Sequence, residues 1–201
     1  MKNYLFDFGV MDEDAAHVLL APHLADISEC IYGSHRSLMK CRKLLPREFS
    51  CWKPRTLANI MNDFITDLVS DRFGTKKNVY CSEKDFLLLD FDGHLLMRFK
   101  KLNNARKPEN IKTNQQNKIA QQSFLGSQQI VTAGYRIQPG FSSIKDMFVV
   151  YLCDDKVDWS IPLPEINKNR REIIEAEATK HAELAIKAKL TANILEGNNA
   201  S

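Results

Sequence analysis

Three side chains in this sequence could do hydrolytic chemistry together: Asp85, Asp90 and Lys100. Two carboxylates can hold a divalent ion such as Mg²⁺ or Mn²⁺, and a nearby ammonium can help activate the attacking water. The three fall in two apolar runs, Asp85–Phe91 and His94–Leu102, on either side of Asp92-Gly93. An Asp-Gly dipeptide in that setting is the strongest short-range signal for a β-hairpin. A two-residue turn there would pair Phe91 with His94, Leu89 with Leu96, Leu87 with Arg98 and Asp85 with Lys100 on one face. Phe86, Leu88, Asp90, Leu95, Met97 and Phe99 would then share the other face. Arg98 stands against the metal reading, because a guanidinium cannot ligate a cation and would repel one. A plain Asp85–Lys100 cross-strand ion pair satisfies the same spacing.

The same stretch carries a second chemistry. Arg98, Lys100, Lys101, Arg106, Lys107, Lys112 and Lys118 lie within 21 residues, interleaved with Asn103, Asn104, Asn114, Gln115, Gln116 and Asn117. Lysine and arginine neutralise phosphates, and amides bond sugar, phosphate or base edges. The run reads as a nucleic-acid contact surface, or as a solvated loop between a hairpin and a helix. Tyr80, Phe99 and Phe124 offer aromatic faces, although their surroundings suit a core. No helix is placed to read a groove, so sequence-specific DNA recognition is the weaker form of the idea. Zinc-peptidase, nucleophile-elbow, phosphate-loop and dinucleotide-binding motifs are absent.

Charge is distributed unevenly over the 201 residues. Residues 1–35 carry a net charge of −5, residues 36–118 carry +9 and residues 119–201 carry −1. A basic middle suits a polyanion or an acidic protein partner, and equally a contact with the chain's own acidic start. Five cysteines without a C-x-x-C pair read as reduced thiols of a cytoplasmic protein. A zinc cluster of Cys30, His35, Cys41 and Cys51 can be drawn, but its spacing matches no familiar finger, and no metal site is assigned. No apolar run approaches the roughly 20 residues of a membrane span.

The elements that must position these residues follow from periodicity. Residues 12–32 read as helical from an Asp12 cap, divided at Pro22, with a second helix over 35–45. Pro46 to Pro54 reads as an elbow, and Leu57, Ile60, Met61, Phe64, Ile65, Leu68, Val69 and Phe73 mark a helix that stops at Gly74. Strands are expected at 78–81, 85–91, 94–102, 131–138, 146–153 and 158–161, with a helix over 114–124. A last helix spans 165–196, its exposed face supported by Arg171–Glu175 and Glu183–Lys187 pairs. The organisation is thus a helical segment (1–50), an α/β core (51–163) and a long C-terminal helix (164–201).

The order from 56 to 153, helix, three strands, helix, strand, resembles the PD-(D/E)XK nuclease core. That resemblance implies Asp85 as the first acid and Lys100 as the lysine, with Glu83, Asp90 or Asp92 replacing the acid missing at Arg98. The run from Met97 to Trp159 contains Arg98-Phe99-Lys100-Lys101-Leu102-Asn103, Thr113-Asn114-Gln115-Gln116-Asn117, Gln122, Leu125-Gly126, Ala133-Gly134-Tyr135-Arg136 and Asp158-Trp159-Ser160. It resembles a family of small bacterial and phage-borne proteins encoded beside regulators that join a helix-turn-helix domain to a metallopeptidase-like domain. Their arrangement is likened to toxin–antitoxin phage-defence pairs. This likeness implies a cytoplasmic effector controlled by a partner protein, and carries over no catalytic residue. The expectation is an α+β fold, with a mixed sheet flanked by helices, whose basic surface contacts nucleic acid or an acidic partner. A metal-dependent nuclease is the alternative, as is an adaptor that acts, or self-associates, through the last helix.

Overall fold

The computed structural model describes residues 11–82, 87–109 and 128–198, with side chains to residue 187. Asp12 starts α1 (Glu13–Leu20) by accepting the Ala15 amide on Oδ1 at 2.8 Å. Pro22 separates it from α2 (Leu24–Leu44). The expected break near residue 33 does not occur, and α2 runs unbroken for 21 residues. Buried polar side chains blur its apolar stripe: Ser34 Oγ donates to the Cys30 carbonyl and Ser28 Oγ to the Pro164 carbonyl. The expected elbow is largely a short helix, α3 (Pro46–Cys51), and α4 (Pro54–Phe73) follows it. Both prolines occupy the first helical turn, where a missing N–H costs nothing.

Among the described residues six strands form one sheet in sequence order: β1 (Val79–Ser82), β2 (Leu88–Phe91), β3 (Leu95–Lys101), β4 (Gln129–Ile137), β5 (Ile144–Cys153) and β6 (Lys156–Pro162). Only β3 and β4 are parallel; every other neighbouring pair is antiparallel. The chain must therefore cross over between Lys101 and Gln129, where the helix expected over 114–124 lies outside the described residues. With α5 (Lys168–Asn198) at the end, the fold is α+β, a mixed sheet flanked by helices.

The hairpin register differs from expectation. Phe91 pairs with Leu95, Asp90 with Leu96 and Leu89 with Met97, so the loop has three residues and the pairing is shifted by one. The physical reason is local. Asp90 Oδ1 accepts the Gly93 amide at 2.8 Å, while Asp92 and Gly93 adopt left-handed backbone conformations (φ 52° and 73°). A slip of one residue exchanges the faces. Leu89, Phe91, Leu95, Met97 and Phe99 now lie together in the core, whereas Asp90, Leu96, Arg98 and Lys100 share the opposite face.

The core sits between the first of these faces and the helices. It joins Leu20, Ile27, Ile31 and Leu38 to Met61, Ile65, Phe73, Leu89, Met97, Val131, Val149 and Ile161. On the opposite face a separate apolar cluster consists of Leu102, Phe148 and Val150. Helix α5 docks on α2 through Ile174, Ala178 and Ala182, all buried, and through ion pairs. Arg170 grips Glu29 with two N–H groups at 2.8 and 2.6 Å, and Arg36 meets Glu175 at 2.5 Å. Glu175 is thus drawn to α2, and Arg171 instead donates to the Ile166 carbonyl. No helix among the described residues is long and apolar enough to cross a membrane.

Candidate nucleic-acid interface

Residues of alternate parity build the sheet face that points away from the core. Across the strands, one row holds Tyr80, Asp90, Leu96, Ile130 and Leu152 by pairing and alternation. The next row holds Arg98, Thr132, Val150 and Ser160, and the one beyond holds Lys100, Gly134, Phe148 and Pro162.

Arg98 and Lys100 are half-buried. Arg98 Nε donates to Thr132 Oγ1 at 3.0 Å, which uses one of its five N–H groups. Burial pulls its pKa below the ordinary arginine range. Burial, and then the charge of Arg98, pulls the Lys100 ammonium down as well. Among the described residues neither side chain ion-pairs with a carboxylate, so two desolvated cations lie side by side.

A third cation arrives from the loop after β3. Asn103 Oδ1 accepts the amides of Ala105 and Lys107 at 2.9 and 3.0 Å, and Leu102 bridges to Pro108. This knot folds residues 102–109 back over the sheet and holds Arg106 at φ 58°. The Arg106 guanidinium then stacks 4.1 Å from the Phe148 ring centroid and donates to Ser160 Oγ at 2.9 Å. Arg136, also near Phe148, is held by Asp146, whose hydrogen bonds push its pKa up.

Only part of the basic run assembles here. Arg98, Lys100 and Arg106 share the face. Lys101 points to the other side, where it binds Glu109 Oε2 at 2.8 Å and approaches Phe141. Lys107 reaches Asp155 at 3.7 Å. Lys112 and Lys118 lie outside the described residues. Tyr80 is no core residue: it is 71% exposed, whereas Phe99 is buried and Phe124 lies outside the described residues.

The hydrolytic constellation is not brought together among the described residues. Asp85 lies outside them, and both oxygens of Asp90 are engaged, Oδ1 by Gly93 and Oδ2 by the Gln128 amide at 3.0 Å. Asp90 thereby pins the β2–β3 turn to the start of β4. No group of three His, Cys, Asp or Glu side chains suited to a metal occurs among the described residues. The drawn zinc cluster dissolves likewise. His35 Nε2 bonds the Phe141 carbonyl at 2.9 Å, Cys51 is exposed, and burial pushes the Cys30 thiol up to about 12.

Among the described residues the acids of this face are the engaged Asp90, Asp146 paired with Arg136 and, by alternation along β6, the exposed Asp158, while the exposed Asp92 of the turn lines a shallow cavity with Tyr80 and Asp90. On the helical side a cleft of ≈480 Å³ lies between α2, α4 and α5, lined in part by Glu29, Ser37, Asp71, Arg72 and His181. Its Glu29 already binds Arg170 and Arg72.

Sequence reasoning named the three cations, Asn103 and Tyr80 but missed Thr132 and Gly134; it took Asn103 for a direct contact rather than the acceptor that shapes the loop, and Tyr80 for core. Asn103 carried a legible signal, an amide two residues before a small residue in a polar loop, which favours an Asx turn. No protein-family model, curated protein or solved structure matches the chain.

Proposed function

We propose that this protein binds nucleic acid through the sheet face that points away from its core, with Arg98, Lys100 and Arg106 engaging phosphates. The observation that carries this reading is the pair of half-buried cations, Arg98 and Lys100, without a carboxylate partner among the described residues. A desolvated cation left unpaired is unfavourable, and a phosphate oxygen supplies a charge-assisted partner. Phosphate contacts position a strand without reading its sequence, so binding is sequence-tolerant. We extend the proposal to a partner-regulated effector on the sequence resemblance to defence-pair proteins alone; copurification of a neighbouring regulator from the native host would support that half, and its absence would remove it.

Binding of a mixed-sequence oligonucleotide tests the proposal. Arg98→Gln with Lys100→Gln should weaken binding by about tenfold or more at moderate salt. Lys101→Gln serves as the control and should leave binding nearly unchanged, because its side chain lies on the other face with Glu109. Equal losses in both variants would mean that the basic run acts as an undifferentiated charged loop, and the assignment to this face would fail.

A further inference from the structure

We infer that the nucleic acid this face takes is single-stranded, with a base stacked on Tyr80; the inference rests on the phosphate-binding reading above. Two rows of unlike chemistry lie side by side. Tyr80, Leu96, Ile130 and Leu152 form an aromatic and aliphatic row from β1 to β5, interrupted only by the hydrogen-bonded Asp90. Beside it run the cations, Arg98 and Lys100 on β3 and Arg106 over β5 and β6. Thr132 and Val150 on the second row are buried, so a strand would set a base on Tyr80 and turn its phosphates to the half-buried Arg98, Lys100 and Arg106 rather than lie along that row.

Among the described residues Tyr80 is the exposed aromatic of this face, and its 71% exposure needs an explanation on a strand whose other members are buried or half-buried, Val79, Cys81 and Ser82. Strand spacing and rise put its Cα about 12 Å from that of Arg98 and about 16 Å from that of Lys100. Those separations suit a base and the phosphates that follow it along an extended strand. In a duplex the base faces are stacked on one another and closed to a tyrosine on a sheet surface, whereas an unpaired base can stack there whatever its identity.

The experiment compares a mixed-sequence single strand of about 12 nucleotides with the corresponding duplex, a length within the usual site range. The single strand should bind more tightly, and Tyr80→Ala should weaken it about 5- to 100-fold while leaving duplex binding unchanged. Tyr80→Phe should restore most of the affinity. Tyr80→Trp should report binding by quenching of its fluorescence. The side chain is exposed, so a thermal melt of Tyr80→Ala should superimpose on that of the parent. Equal affinity for both forms, or an unaffected Tyr80→Ala, would overturn the inference and leave the phosphate reading standing. Absence of binding to either form would remove the phosphate reading and this inference with it.

Discussion

Gly134 lies on β4 between Lys100 and Phe148, and replacing it with alanine should loosen the face that carries the cations. A Cβ built there would sit 2.4 Å from Leu102 Cγ, 2.6 Å from Cδ2 and 2.7 Å from Cδ1. All three atoms are closer than carbon atoms approach in proteins, so the whole leucine side chain must move. It has little room, because Leu102 is buried, its amide bonds the Tyr135 carbonyl at 2.8 Å, and it bridges to Pro108. Overpacking of this kind costs about 1–3 kcal/mol. The lower chain entropy of alanine in a strand returns roughly 0.5–1 kcal/mol. The difference is about 0–2.5 kcal/mol, and with three atoms in clash the upper part of that range applies; a loss of about 1–2 kcal/mol lowers Tm by roughly 2–8 °C in a domain of this size. Displacing Leu102 also lifts the 102–109 loop, so Arg106 should leave Phe148 and Ser160, and oligonucleotide binding should weaken. The assay is a thermal melt of Gly134→Ala, Leu102→Ala and the double variant. Leu102→Ala alone should cost about 2–5 kcal/mol, and the double variant should fall short of the sum by about 1 kcal/mol or more. Strict additivity, or an unchanged Tm in Gly134→Ala, would refute the packing argument.

Three further outcomes follow from the same geometry. Lys100→Met should stabilise the fold by about 0.5–2 kcal/mol while weakening binding, because the native ammonium is desolvated beside Arg98 with no carboxylate partner among the described residues; the urea midpoint should rise at constant m. Burial lowers the pKa of His35, and burial followed by the charge of Lys76 lowers that of His23. The unfolded chain therefore takes up protons first, so stability should be full above about pH 6.5 and fall as pH drops below it. His35→Gln, which keeps a donor for the Phe141 carbonyl, should flatten that slope in melts between pH 8 and 5, and an unchanged slope would contradict the assignment. Native protein should react with a thiol reagent first at the exposed Cys51 and Cys153, and Cys30 should react only on unfolding, its thiol being buried and raised to about 12.

Much of the fold was legible because it follows periodicity. The i, i+3, i+4 pattern of α4, the Asp-Gly hairpin and the apolar runs of β3 to β5 all stand where their spacing puts them. What escaped was carried by side-chain-to-backbone bonds. The Asp90–Gly93 bond adds one residue to the turn, and that single residue brings Asp90 onto the face of Arg98 and Lys100. Buried serines in α2 satisfy their hydroxyls on carbonyls, so a continuous helix looks polar in the middle. Within the site, the density of Lys and Arg was visible, but its division was not. Lys100 and Lys101 are adjacent in sequence and point to opposite faces, one unpaired by any described acid and the other bound to Glu109. Tyr80 looked like core because tyrosine favours strands, yet β1 is an edge strand and its alternate positions face outward.

If Arg98, Lys100 and Arg106 meet phosphates, oligonucleotide binding must weaken with salt. For a single strand each neutralised phosphate contributes about −0.7 to the slope of log K against log salt, so three contacts predict a slope near −2. Removing two cations with Arg98→Gln and Lys100→Gln should bring the slope to about −0.7. A flat slope for the native protein, or a steep slope that the double variant leaves unchanged, would contradict the account.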